Sequence, residues 1–143
     1  MSFGNIKVTT SLIESINKGI DQWLADDESD ACPVRDILTR VGDKWSVLVL
    51  MRLGRQPERF RSLMRAIDGI SQRMLTSTLR GLEYDGLVHR QVFDTRPPSV
   101  EYSLTDMGLS LVGHISVLAN WAIEHRSQIE DAHCAYNSSQ ADD

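Results

Sequence analysis

The sequence has only two cysteines, Cys32 and Cys134, in 143 residues. That is too few to staple a fold with disulfides, so apolar packing has to hold it. Long apolar runs are missing as well. The longest is VLVLM at residues 47–51, far short of the ~20 residues that span a bilayer. The opening MSFGNIKVTTSLIESINKG lacks the apolar centre of a signal peptide. No P-loop, dinucleotide-binding glycine fingerprint or nucleophile elbow occurs. His125, His133 and Cys134 are near one another, but without a second cysteine pair or a recognised ligand spacing. The four histidines pair with no evident Ser or Cys nucleophile. These gaps lead to the expectation of a cytoplasmic protein, not an enzyme, with no membrane segment, catalytic residue, metal or cofactor.

What is present is enough apolar residues, 41%, for one domain with a real core. The net charge of −5 argues against a nucleic-acid partner until its distribution is read. Residues 35–96 hold 12 Lys/Arg against 7 Asp/Glu, and 11 of those cations are Arg. The rest of the chain holds 3 Lys/Arg against 13 Asp/Glu. A basic middle between acidic ends suggests a local binding face; the plainer alternative is a solvated surface of uneven charge.

Apolar periodicity and caps divide the chain. Ile13, Ile16, Ile20, Trp23 and Leu24 make residues 11–25 an amphipathic helix, followed by an acidic linker. Pro33 suits the first turn of a second helix, to about residue 41. Asp43 caps a third, whose apolar residues run almost all round, so it should be central and buried. Residues 59–67 form a short helix, and Asp68-Gly69 a turn. Ser71 caps a fifth helix, closed by Asp85-Gly86. Residues 87–93 and 99–104 read as strands joined by DTRPP. Thr105 starts a last helix, to about residue 128, with Leu111, Ile115, Leu118 and Ala122 on its stripe, Trp121 alongside and His114 on a packed face. YNSSQADD reads as a frayed tail.

Short helix, turn, second helix and hairpin is a winged helix-turn-helix. The predicted class is mainly α (α+β), with a two-stranded β-wing. The expected parts are an N-terminal helix and linker (1–30), a DNA-binding core (31–104), a C-terminal helix (105–129) and a flexible tail (130–143). The terminal helices are assigned to dimerisation; their plainer role would be to cover the core of one chain.

The fifth helix carries the functional signal. Leu75, Leu79 and Leu82 share one side, with Met74 and Thr78 at its edge. Arg73, Thr76, Ser77 and Arg80 form the opposite stripe, with Gln72 at its N-terminal end. Arg pairs with guanine edges, Gln with adenine, and hydroxyls reach phosphates or bases. Ser71 lies at the helix N-terminus, where free N–H groups attract phosphate. Arg96 at the hairpin tip suits phosphates or the minor groove. Lys44, in the first turn of its helix, opposes the dipole and would welcome an anion. Arg59, Arg61 and Arg65 flank the short helix and can border the backbone, Arg61 being taken as the contact.

Several motifs in order resemble the HxlR-type transcription regulators, within the wider MarR-like winged-helix group. They are Cys32-Pro33, Gly42-Asp43-Lys44-Trp45, Arg59-Phe60 with Leu63, Gly69-Ile70-Ser71-Gln72-Arg73-Met74-Leu75-Thr76, and Pro97-Pro98 followed by Val100-Glu101-Tyr102-Ser103-Leu104-Thr105. The likeness extends over about residues 32–122; Ser62 and Arg96 depart from the usual pattern. It implies a homodimeric bacterial regulator of double-stranded DNA, with recognition by residues 71–80, a wing around Arg96 and dimerisation through the terminal helices. A twofold dimer would present two such helices to a pseudo-palindrome, with half-sites ~10 bp or a multiple apart. A repressor is the expectation.

Cys32 precedes Pro33 at a helix start, where the dipole and Arg35 favour thiolate and the acidic run upstream opposes it. The family resemblance implies a thiol switch at this cysteine in some members, and so an oxidant, electrophile or small-molecule effector. The plainer reading is a small inert core residue. Cys134 would be its resolving partner. The competing function is a winged-helix protein-interaction module that does not bind DNA.

Overall fold

The computed structural model describes residues 10–25 and 33–142. In chain order the elements are α1 (Thr10–Ala25), α2 (Pro33–Gly42), α3 (Lys44–Leu53), β1 (Glu58–Arg59), α4 (Phe60–Ala66), α5 (Gln72–Tyr84), β2 (Val88–Phe93), β3 (Ser99–Leu104), α6 (Asp106–Glu124) and α7 (Arg126–Ala141). The linker and Cys32 lie outside the described residues.

Three caps act as their residue types predict. Asp43 accepts from the Ser46 N–H at 3.1 Å, Ser71 from Met74 and Thr105 from Gly108. Each satisfies a first-turn N–H that has no partner inside its helix. At the other end of α5, Leu87 N–H bonds the Leu82 carbonyl and Gly86 N–H that of Glu83, both at 3.0 Å. This closure needs a left-handed residue, and Gly86 supplies it at φ 74°. Thr105 then donates its hydroxyl to the Gly86 carbonyl at 2.6 Å. One threonine thus starts α6 and holds it to the end of α5.

The core lies where α3, α4, α5 and the base of the sheet meet. Val49, Leu50, Leu63, Leu75, Leu82 and Leu87 are fully enclosed. Each such side chain contributes ~1.5–3 kcal/mol of burial. From α6, Val112 and Ile115 close one side. Gly108 lets the first turn of α6 press on the chain below, since a Cβ there would overlap the Leu87 carbonyl oxygen.

Several expectations need correction. The two-stranded wing is present as β2 and β3, but a third strand not expected from sequence, β1, joins its sheet in the order β1-β3-β2, all antiparallel. With only Glu58 and Arg59, β1 is too short to show a period of two in sequence. Glu58 is buried, and Arg52 donates to its carboxylate at 2.9 Å, an ion pair that anchors this strand. Helix α3 is not covered all round: Leu48 is exposed, while Val47 and Met51 are half-buried. The last helix does not run unbroken to residue 128. It stops at Glu124, His125 turns out of helical geometry at φ −101° and ψ 7°, and α7 continues to Ala141. The end of the chain is therefore helical where its polar composition reads as loose. His114, expected on a packed face, is exposed, and Leu118 and Trp121 of the helix assigned to dimerisation are exposed within one chain too. Leu12, Ile13, Ile16 and Ile20 of α1 are exposed as well.

Candidate nucleic-acid interface

α4, the turn at Asp68-Gly69 and α5 form the helix pair. On α5 the buried residues are Leu75, Thr78, Leu79 and Leu82, so the leucines occupy the inner side as their spacing predicts. Gln72, Arg73, Ser77 and Arg80 are exposed and Thr76 is half-buried. These five line one shared concavity. Met74, expected at the edge of the core, is 42% exposed and adds an apolar spot beside the polar face.

The hydroxyls differ in what they offer. Ser71 uses its oxygen to cap Met74 N–H at 3.1 Å, so it shapes the helix start. Thr76 donates to the Gln72 carbonyl at 2.8 Å, leaving its oxygen only to accept. Ser77 is exposed with no internal hydrogen bond among the described residues. Ser77 therefore has its whole hydroxyl available, both to donate and to accept.

The arginines fall into two groups. Arg40 donates to Asp85, Arg52 to Glu58 and Arg126 to Glu130. Arg73, Arg80, Arg90 and Arg96 form no ion pair among the described residues. The Arg40–Asp85 pair, at 2.5 Å, ties α2 to the C-terminal end of α5. Its guanidinium lies over Gly81, so that a Cβ there would have to displace it.

The remaining residues singled out by sequence are spread around this face. Lys44 sets its ammonium over the Trp45 ring, 4.7 Å from the centroid; a cation–π contact, not an anion, is its partner here. The same ring borders Gly69 in the turn between α4 and α5. Arg61 is exposed on α4, as are Arg59 and Arg65 around it, and none of them lines the α5 concavity. Arg96 is exposed at the hairpin tip, where Thr95 donates to the Pro97 carbonyl at 2.8 Å.

Sequence reading missed Arg90. It lines an open crevice of about 540 Å³ between α5 and the hairpin, with Gln72, Thr76 and Arg80 on the helix wall and Tyr102 on the sheet wall. The signal was a charged residue between Val88 and Val92, on the strand face whose first residue is buried.

No group of three metal-ligating side chains occurs among the described residues, and no helix among them is long and apolar enough to cross a membrane. Cys134 is exposed on α7.

Comparison with known proteins matches this arrangement. Residues 40–130 fit the family described as HxlR-like helix-turn-helix. The HTH-type transcriptional regulator YdeP of Bacillus subtilis is 38% identical over 117 residues, covering 82% of this chain and 90% of YdeP. The structure of the transcriptional regulator ytfH from Salmonella typhimurium aligns with a TM-score of 0.65 at 34% identity, covering 76% of this chain and 96% of that one. The redox regulator HypR in its reduced form aligns with a TM-score of 0.64 at 38% identity, covering 69% and 98%. With a family match over most of its length and these caps, turn and hairpin in place, the chain belongs to the HxlR-like helix-turn-helix family of transcriptional regulators.

Proposed function

We propose that this protein is a sequence-specific DNA-binding regulator. It acts as a homodimer on a pseudo-palindromic operator and represses by occupying it. The observation that carries the reading is the outward face of α5: Gln72, Arg73, Thr76, Ser77 and Arg80 in one concavity, with neither arginine engaged by a carboxylate among the described residues. Arg73 and Arg80 are the base-reading candidates and Ser71 orders the helix start. Arg96 tracks the backbone or minor groove from the wing, and Lys44 and Arg61 border it. Exposed apolar side chains on α1 and on α6–α7, among them Ile16, Trp121 and Ile129, support a second copy as the partner. A DNA ligand also favours a cytoplasmic setting.

Redox or electrophile control through Cys32 is part of the proposal. It rests on the position of Cys32 directly before α2 and on the likeness to HypR, a redox regulator. Cys134 is the exposed thiol available to a second chain. Mild oxidation should change operator binding in the wild type and leave Cys32→Ser unaffected; an equal response in both removes the switch.

The test of the main reading is fluorescence anisotropy with duplex DNA across a salt series. Phosphate-contacting proteins lose affinity steeply as salt rises, by about three to five decades between 50 and 200 mM for six to ten contacts. A protein-interaction module would show no such binding.

A further inference from the structure

We propose that the crevice between α5 and the β2–β3 hairpin seats one strand of the DNA backbone, and that Arg90 is the phosphate contact joining the reading helix to the wing. The proposal rests on the DNA-binding reading above.

The crevice is open along its length, with helix side chains on one wall and strand side chains on the other. Directly opposed residues of paired strands share a face. Glu58, Tyr102 and Arg90 therefore form one row across the sheet. Burial decreases along that row, from Glu58 at 5% exposure to the half-buried Tyr102 and the exposed Arg90. Arg90 thus stands where the core-facing side of the sheet emerges from under α5. Leu79 and Phe60 give the crevice an apolar base.

A helix in the major groove and a hairpin tip at the adjacent minor groove must lie on either side of a sugar-phosphate strand, because that strand is what separates the two grooves. The crevice occupies the corresponding place in the protein. Such a strand carries about one negative charge per 3.4 Å. Arg90 faces it from the sheet wall, and its guanidinium fork matches phosphate oxygens two at a time, while Arg80 on the helix wall points the reading side of α5 to the bases beyond. Gln72 adds an amide donor at the N-terminal end of α5, where the dipole also favours an anion.

Glu83 shares the crevice about one turn beyond Arg80 and pairs with neither Arg80 nor Arg90. Its charge repels phosphate at the C-terminal end of α5. The strand is therefore confined to the half of the crevice lined by Gln72, Thr76 and Arg80.

The experiment measures binding of Arg90→Ala and Arg90→Lys to an operator duplex and to an unrelated duplex, each across a salt series. Loss of one phosphate contact lowers the slope of log affinity against log salt by about 0.9, or about fivefold in affinity at 0.15 M salt referred to 1 M. Arg90→Ala is expected to lose this on both duplexes alike, with its melting temperature unchanged because the residue is exposed. Arg90→Lys keeps the charge and most of the slope. If wild-type protein binds neither duplex, the DNA-binding reading and this one fall together. If wild type binds with a steep slope and Arg90→Ala keeps that slope, the crevice assignment alone is overturned. A loss confined to the operator duplex also overturns it, since that would make Arg90 a base reader.

Discussion

Helix α5 and the terminal helices both leave a whole side uncovered, but the sides differ in kind. On α5 the leucines are buried and the uncovered residues include Arg73, Arg80, Gln72 and Ser77, with Met74 as an apolar spot among them. On α1 the uncovered residues include Leu12, Ile13, Ile16 and Ile20, and on α6 Leu118, Trp121 and Ile123. A cationic side, here without ion pairs among the described residues, is comfortable in water and gains from an anionic surface. An apolar side gains only when something removes it from water. The contrast teaches that one chain completes α5, whereas α1 and α6 are amphipathic beyond what one chain can use.

The predictions test that contrast, beginning with the largest effect. Leu82→Ala on the inner side of α5 should cost ~2–5 kcal/mol of stability, read as a lower melting temperature and denaturant midpoint. A loss under 1 kcal/mol would mean that this side is not core. Next, Ile16→Glu or Trp121→Glu should shift the solution mass from two chains to one by light scattering. The fold should survive, because both residues are exposed within a single chain; a wild type already monomeric would break the comparison. Third, Arg73→Ala or Arg80→Ala should weaken operator binding by ~1–3 kcal/mol where the contact is bidentate to a base. Stability should hardly change, and undiminished affinity in both variants would reassign this side of α5. The smallest effect is Ser71→Ala, which removes the cap and should lower stability by ~1 kcal/mol. Operator affinity should fall with it only as far as the first turn frays.

Much of this was legible in sequence because the information is local. Ser71 before a leucine repeat and Gly86 after it mark α5 without reference to anything else, and the same holds for Asp43 and Thr105 at their helices. Where the sequence misled, the missing information was non-local. His114 reads as packed, but of α6 only Val112, Ile115 and the half-buried Leu111 find the core. The Trp45 ring beneath the Lys44 ammonium is likewise seen only in the fold.

Local sequence was enough for helices α1 to α6 and the β2–β3 hairpin in their order, for the capped starts of α3, α5 and α6, and for the two sides of α5, since caps and apolar spacing act over a few residues. Only the tertiary structure decided that Glu58 and Arg59 make a third strand, that Arg40 reaches across 45 residues to Asp85, and that Arg90 meets Arg80 across a crevice. The first two join residues far apart in the chain and the third joins consecutive elements, but all three depend on how the helices pack against the sheet.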